Sequence, residues 1–154
     1  MRVVIEILMA FTGSTCFAML FNVRKDKLFP AGLGGGLAWA FYLFLGIWIE
    51  SEVARFVMSS AALTFYAEVM ARIKKTPATF FVVSAAIPFF PGSKLYFTME
   101  AAMHGDWGGF ADFGTQTLLL AVSIASGILC TMTAVHAWKR RRENWGTEWR
   151  MTKQ

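Results

Sequence analysis

Charged residues punctuate this chain at intervals that match the thickness of a membrane. A charge-free run from Ile7 to Val23 covers 17 residues, and Val3 to Ile5 extend it past Glu6. Leu28 to Ile49 makes a second run of 22 residues, long enough to cross about 30 Å of hydrocarbon as a helix. A third, Phe56 to Ala71, holds Glu68 and many small residues. A fourth, Thr76 to Ser93, continues through Lys94 and Glu100 to about Met103. The fifth, Phe113 to Trp138, carries no charge unless His136 is protonated. These runs are too long for strands and lack the alternating polarity of a membrane barrel. The pattern predicts an all-α membrane protein with five transmembrane helices over about 3–23, 30–49, 55–72, 77–103 and 113–138. They form one domain over 1–138, followed by a basic cytoplasmic tail over 139–154.

Composition agrees with that reading. Of 154 residues, 56% are hydrophobic and 16% charged, against about 25% charged in a typical soluble domain. Mean hydropathy is +0.47. The net charge of +5 is explained by membrane topology better than by nucleic acid, because of where the charges lie. Arg24, Lys25 and Lys27 follow the first span, and Arg72, Lys74 and Lys75 follow the third. Lys139, Arg140, Arg141, Arg142, Arg150 and Lys153 follow the fifth. With five spans, these 12 of 15 basic residues share one side, which places the N-terminus outside and the C-terminus in the cytoplasm. A third helix lying in the interface would scatter them across both sides. Trp48, Trp107 and Trp138 fall near span ends, where interfacial anchors belong. Arg2 precedes an apolar run, but Glu6 interrupts the basic region and no small-x-small site follows, so the first helix is expected to stay uncleaved.

Little of the usual chemistry is available. Cys16 and Cys130 both lie in apolar stretches and offer neither a disulfide framework nor a metal motif. His104 and His136 sit near opposite membrane surfaces, so no metal is expected. Gly34-Gly35-Gly36 lacks the Lys-Ser/Thr of a phosphate loop. Packing accounts for it better: Gly32 and Gly36 are four apart, as are Ser123 and Gly127, and small faces let helices approach closely in lipid. No nucleophile–base or paired-carboxylate arrangement suggests an enzyme, and no cofactor is expected.

The informative stretch is Ile87-Pro88-Phe89-Phe90-Pro91-Gly92-Ser93-Lys94-Leu95-Tyr96. Two prolines and a glycine within five residues cannot continue an α-helix. Counted from Pro77, the break begins about 17 Å into the membrane, near the midplane. Irregular backbone at that depth needs protein or a water-filled cavity around it, and broken helices hold the substrate sites of many secondary transporters. A second half-helix starting near Ser93 would point free N–H groups and its positive dipole end at the cavity, and Lys94 would add a full charge. Pro88, Pro91, Gly92, Ser93, Lys94 and Tyr96 are therefore candidate substrate-binding residues for a small carboxylate. The alternative is a proline kink that shapes the helix, with Lys94 snorkelling or paired to Glu100. Glu68 is either an i,i+4 partner of Arg72 or a proton or substrate gate. Glu100 is either a proton-coupling carboxylate or a residue of the outer interface. Thr115, Gln116, Thr117, Ser123, Ser126, Thr131 and Thr133 give the fifth helix a polar side.

Three blocks of the chain resemble the threonine/serine exporter (ThrE) family, in particular its C-terminal half, which also occurs as a small YjjB-type subunit. They are Phe17 to Val23 with Ala31 to Gly35, Ala67 to Arg72 through Pro77, and Ile87 to Gly92 with Tyr96. The last block, Pro-x-x-Pro-Gly-x-x-x-Tyr, is the most specific. The resemblance implies an exporter in the bacterial inner membrane for threonine- and serine-like amino acids or succinate-like dicarboxylates. It also implies energy from the proton gradient and a separate partner subunit corresponding to the N-terminal half. A homo-oligomer is compatible with it. Lys94 departs from the family pattern, where small or apolar residues are usual after the Pro-Gly, which favours a more anionic substrate. A reading of a different class is a structural or assembly subunit that scaffolds a partner forming the path.

Overall fold

The structure is a computed structural model that describes the backbone of residues 1–151 and the side chains of residues 1–139. Every element among the described residues is helical: α1 (Arg2–Leu20), α2 (Lys25–Leu45), α3 (Glu52–Lys74), α4 (Ala78–Ala86), a 3₁₀ turn (Ile87–Phe89), α5 (Gly92–Met103) and α6 (Trp107–Met151). The expected all-α membrane architecture is thereby borne out. Four stretches, α1, α2, α3 and Trp107–Lys139 of α6, are long and apolar enough to cross a membrane. The fifth is the broken pair Ala78–Phe89 and Gly92–Met103, bent by 57°.

Helix order decides whether that pair crosses or folds back. Gly127 of α6 lies against Ser60 and Val57 of α3, and Met132 and His136 of α6 share a pocket with Glu68 and Arg72 of α3. Residue numbers rise together along both helices, so α3 and α6 run parallel. The chain between them must therefore return across the bundle, and α4–turn–α5 is that return. Its α5 half packs antiparallel on the start of α6, with Thr98 beside Thr117 and the Phe97 ring 5.5 Å from Phe113. Five crossings result.

Helix ends explain where the boundaries depart from the hydropathy pattern. α2 begins at Lys25, ahead of the expected 30, because Pro30 sits about one turn inside and forfeits only one i→i−4 bond. α6 begins at Trp107 rather than 113 because Asp106 caps it, its Oδ1 accepting from Gly109 N–H at 3.1 Å. Ser51 caps α3 in the same way, accepting from Ala54 N–H, while Arg72 and Lys74 complement the negative end of its dipole. Lys75 closes α3 in the left-handed region at φ 50°.

The helix α2 is central, packed against α1, α3 and α4. Its glycines make that crowding possible. A Cβ on Gly35 would collide with Ser14 Oγ and lie 2.7 Å from Ser14 Cβ. One on Gly34 would lie 2.9 Å from the Tyr66 ring of α3 and 3.2 Å from Ala85 of α4. Gly32 abuts Thr15 and Phe11 of α1, whereas Gly36 meets nothing closer than Phe11 Cβ at 3.4 Å. Tyr66 ties α3 to α2 by donating to the Pro30 carbonyl at 2.9 Å. Lys27 donates to the Thr76 hydroxyl, so the loops after α1 and α3 lie at one end of the bundle. His136 of α6 lines the same pocket as Thr76, which puts that end of α6 there too. Among the described basic residues, Arg24, Lys25, Lys27, Arg72, Lys74 and Lys75 thus share one end. Arg140, Arg141, Arg142 and Arg150 of the expected basic tail lie outside the described side chains, and Lys153 outside the described residues.

Gly127 is the sharpest contact on α6: a Cβ there would strike Ser60 Oγ and lie 2.6 Å from the Val57 carbonyl oxygen. Gly127→Ala and Gly35→Ala are expected to destabilise the detergent-purified protein by about 1–3 kcal/mol through overpacking. Gly36→Ala should be neutral or slightly stabilising, since alanine is the better helix former by up to about 1 kcal/mol. Thermal unfolding followed by size-exclusion of the survivors checks the order.

Candidate functional site

The break is built around one side chain. Phe89, on the 3₁₀ turn, is 1% exposed. Its ring meets Trp39 at 5.8 Å, Tyr42 at 6.2 Å and Phe56 at 5.8 Å, all edge-on. Trp39 and Tyr42 come from α2 and stack at 5.1 Å; Phe56 comes from α3 and meets Tyr42 at 5.0 Å. Edge-to-face pairs of this kind contribute about 0.5–1.5 kcal/mol each beyond area burial. Pro88 cannot donate to the helix ladder, and Phe90 is already extended at ψ 123°, so the α-helix stops at Ala86. Gly92 N–H turns back to the Phe90 carbonyl at 2.7 Å and α5 starts afresh.

By its 9 residues α4 is about 14 Å long, and by its 12 residues α5 is about 18 Å, so the break falls near the middle of the crossing. No side chain caps α5, whose N-cap is Pro91. On one side of the break, a groove of about 350 Å³ opens between α1, α2 and the turn, lined by Glu6, Met9, Gly13, Trp39, Ile87 and Pro88 among others. It is mostly apolar. Glu6 and Trp39 are among its lining residues, and the Trp39 indole N–H is buried with no hydrogen-bond partner among the described residues.

Lys94 faces the other side. Half-buried, it donates to Gln116 Oε1 of α6 at 2.6 Å. Thr98, one turn on, donates to the Lys94 carbonyl at 2.8 Å and lies 3.5 Å from Thr117. The predicted substrate residues are therefore split: Pro88 lines the α1–α2 groove, Lys94 reaches α6, Pro91 is half-buried between, and Gly92, Ser93 and Tyr96 are exposed. The ion pair that would have tied Lys94 to Glu100 is not formed; Glu100 is exposed on α5. Among the described residues the only ion pair joins Arg24 and Asp26 at 3.8 Å.

That finding also bears on Glu68. It lies one turn before Arg72 on α3, yet the two do not pair. Both line a polar pocket of about 320 Å³ at the basic end of the bundle, with Thr76, Thr79 and Met132. His136 of α6 joins them, a neighbour that sequence reasoning placed only near a membrane surface. Of the predicted packing residues, Gly32 abuts α1, Gly36 sits looser on the same face, Gly127 abuts α3, and Ser123 is buried, donating to the Leu119 carbonyl at 2.6 Å. Sequence reasoning missed Phe89, Trp39 and Glu6. An aromatic directly after Pro88, within the Pro-x-x-Pro break, was the available signal for Phe89; nothing in the sequence marks Trp39 as its neighbour or Glu6 as part of the groove.

Five apolar stretches, one of them broken by a 57° bend, define a multi-pass membrane protein. The profile of the family described as "Threonine/Serine exporter, ThrE" matches residues 6–134, and the chain belongs to that family. The resemblance read from the three sequence blocks is thus borne out. Searches of curated proteins and of solved structures find no match to this chain.

Truncating the plug tests the geometry of the break. Phe89→Ala should cost roughly 3–5 kcal/mol, the range for truncating a buried phenylalanine to alanine. Phe80→Ala, on an exposed face of α4, should cost far less. Thermal unfolding in detergent compares the two.

Proposed function

We propose that this chain is a subunit of a secondary transporter that exports small carboxylate metabolites across the bacterial inner membrane, working with a separate partner half. The substrates are threonine- and serine-type amino acids or succinate-like dicarboxylates. Family membership supports export. One observation carries the rest: Lys94 stands at a mid-membrane break with a neutral amide as its partner.

An ammonium offers three donors, and Gln116 takes one of them. A lysine at that depth costs about 2.5–3.5 kcal/mol on insertion scales. A bound carboxylate offsets that cost, and the uncapped N-terminus of α5 adds the favourable end of a helix dipole. Substrate binding is then strongest where the protein alone leaves positive charge unneutralised. The basic end of the bundle faces the cytoplasm by the positive-inside rule, leaving the N-terminus outside. The proton gradient supplies the energy, with Glu68 and Glu100 as the coupling or gating carboxylates.

The Lys94–Gln116 bond also supports a second reading, in which Lys94 clamps α5 to α6 and the partner forms the path. The two readings part on one experiment. Efflux of serine, threonine and succinate is measured from cells producing this chain with its partner. Lys94→Ala and Pro91→Ala are expected to reduce efflux at least about tenfold, like other losses of a site charge, with membrane levels unchanged. Normal efflux from Lys94→Ala contradicts the transport reading and supports the scaffold.

A further inference from the structure

The pocket where α3, α4 and α6 converge has a chemistry that the break does not have. We infer that it is a separate entry site, on the cytoplasmic side, that captures the zwitterionic headgroup of an α-amino acid. The inference rests on the transport reading for its orientation and its cargo. Its basis is a set of opposite charges that share a cavity without neutralising each other.

Glu68 and Arg72 are one turn apart on α3, a spacing at which carboxylate and guanidinium ordinarily meet on a helix surface. Here both line the same 320 Å³ pocket, yet no ion pair within 4.0 Å joins them. That volume is at the lower end of small-molecule sites, which run from roughly 300 to 1,000 Å³. The pocket is an open cleft in which Arg72, Thr79 and His136 are exposed and Glu68 is half-buried. An anion and a cation set apart across it are complementary to a ligand that carries both charges.

The neighbours extend the match. α4 starts at the pocket, with Ala78 and Thr79 in the lining and no acidic residue in its first turn. Its 9-residue length aligns enough peptide dipoles to favour an anion at that end. The ligand carboxylate therefore belongs with Arg72 and the start of α4. On α6, His136 Nδ1 lies 2.9 Å from the Met132 carbonyl oxygen. A carbonyl can only accept, so Nδ1 carries a proton there. Glu68 is then the acceptor for the ligand's ammonium. Thr79 makes no hydrogen bond within the described residues and remains available to a side-chain hydroxyl. Thr76 is already engaged, accepting from Lys27 and donating to the Lys74 carbonyl at 2.9 Å.

This set discriminates by charge. A dicarboxylate would bring a second anion against Glu68, and a simple amine would leave Arg72 unanswered. Neither repulsion nor an unpaired group arises with a zwitterion, so specificity at this site comes as much from what it rejects as from what it holds.

Everted membrane vesicles containing this chain and its partner present the cytoplasmic face to the medium and test the site directly. Uptake of L-serine should show KM raised about tenfold in Arg72→Gln with the maximal rate near wild type, the signature of lost capture alone, and KM raised likewise in Glu68→Gln, whose maximal rate also falls where the same carboxylate couples or gates. Lys25→Gln, exposed at the same end but outside the pocket, should leave KM unchanged and so controls for surface charge. Unchanged KM in both pocket variants overturns the inference. A second measurement is independent of transport and of those variants. With Cys16 and Cys130, both exposed, replaced by alanine, Thr79→Cys is labelled with a maleimide. L-serine should slow the labelling, whereas succinate and n-propylamine should not. Equal labelling with and without L-serine also overturns the site. Wild-type vesicles that move none of the substrates contradict the transport reading, and the protection assay then still decides whether the pocket holds a zwitterion.

Discussion

A polypeptide that abandons its helix in the middle of a bilayer must have its irregular backbone held by protein. Here that task falls to Phe89. The 3₁₀ turn that carries it is locked between α2 and α3 by Trp39, Tyr42 and Phe56, whose rings surround it edge-on. With the turn fixed, Pro88 and Pro91 impose the end of one helix and Gly92 begins another at 57° to it. The new direction lays α5 along α6. That in turn lets α6 run parallel to α3, with the chain having crossed between them. The aromatic cage is the contact on which the five-crossing topology and the position of Lys94 both depend.

Close packing of α2 supports the cage from the other side. In lipid, hydrophobicity does not drive helices together, so backbone proximity must supply the attraction. Gly34 and Gly35 remove the side chains that would hold α2 away from α1, α3 and α4. The cost is conformational freedom in the unfolded chain, offset by contacts on three sides of one helix. Small polar residues are treated likewise. Thr64, Ser84 and Ser123 are buried and return their hydroxyl protons to carbonyls of their own helices, which leaves them compact at the interfaces. Ser14 and Ser59 are buried with no such partner among the described residues.

The number of crossings and the position of the break were legible from sequence because both follow from local rules. Charge-free length sets the span, and Pro-x-x-Pro-Gly ends a helix wherever it stands. The gathering of Lys27 and Thr76 at one end follows from the same alternation. Contacts between distant residues were not legible. Gln116 is 22 positions from Lys94, and no periodicity announces that one accepts from the other. Glu100 was an equally plausible partner on paper, as Arg72 was for Glu68, and in neither case does the pair form. The start of α6 was not legible for a similar reason: it is set by Asp106, a capping residue outside the apolar run. The predicted substrate residues proved to lie on two faces of the break, because the turn rotates Pro88 toward α1 while α5 carries Lys94 toward α6.

Transport through this chain requires that the broken crossing expose a polar, water-reached point at the middle of the membrane. Cysteine accessibility in intact membranes measures it directly, using a small charged methanethiosulfonate on a cysteine-free background. Ser93→Cys, exposed at the first turn of α5, should react readily, while Val122→Cys, on the apolar outer face of α6, should not. Equal protection of both positions would mean that lipid or protein seals the break, and would rule out a water-reached site there.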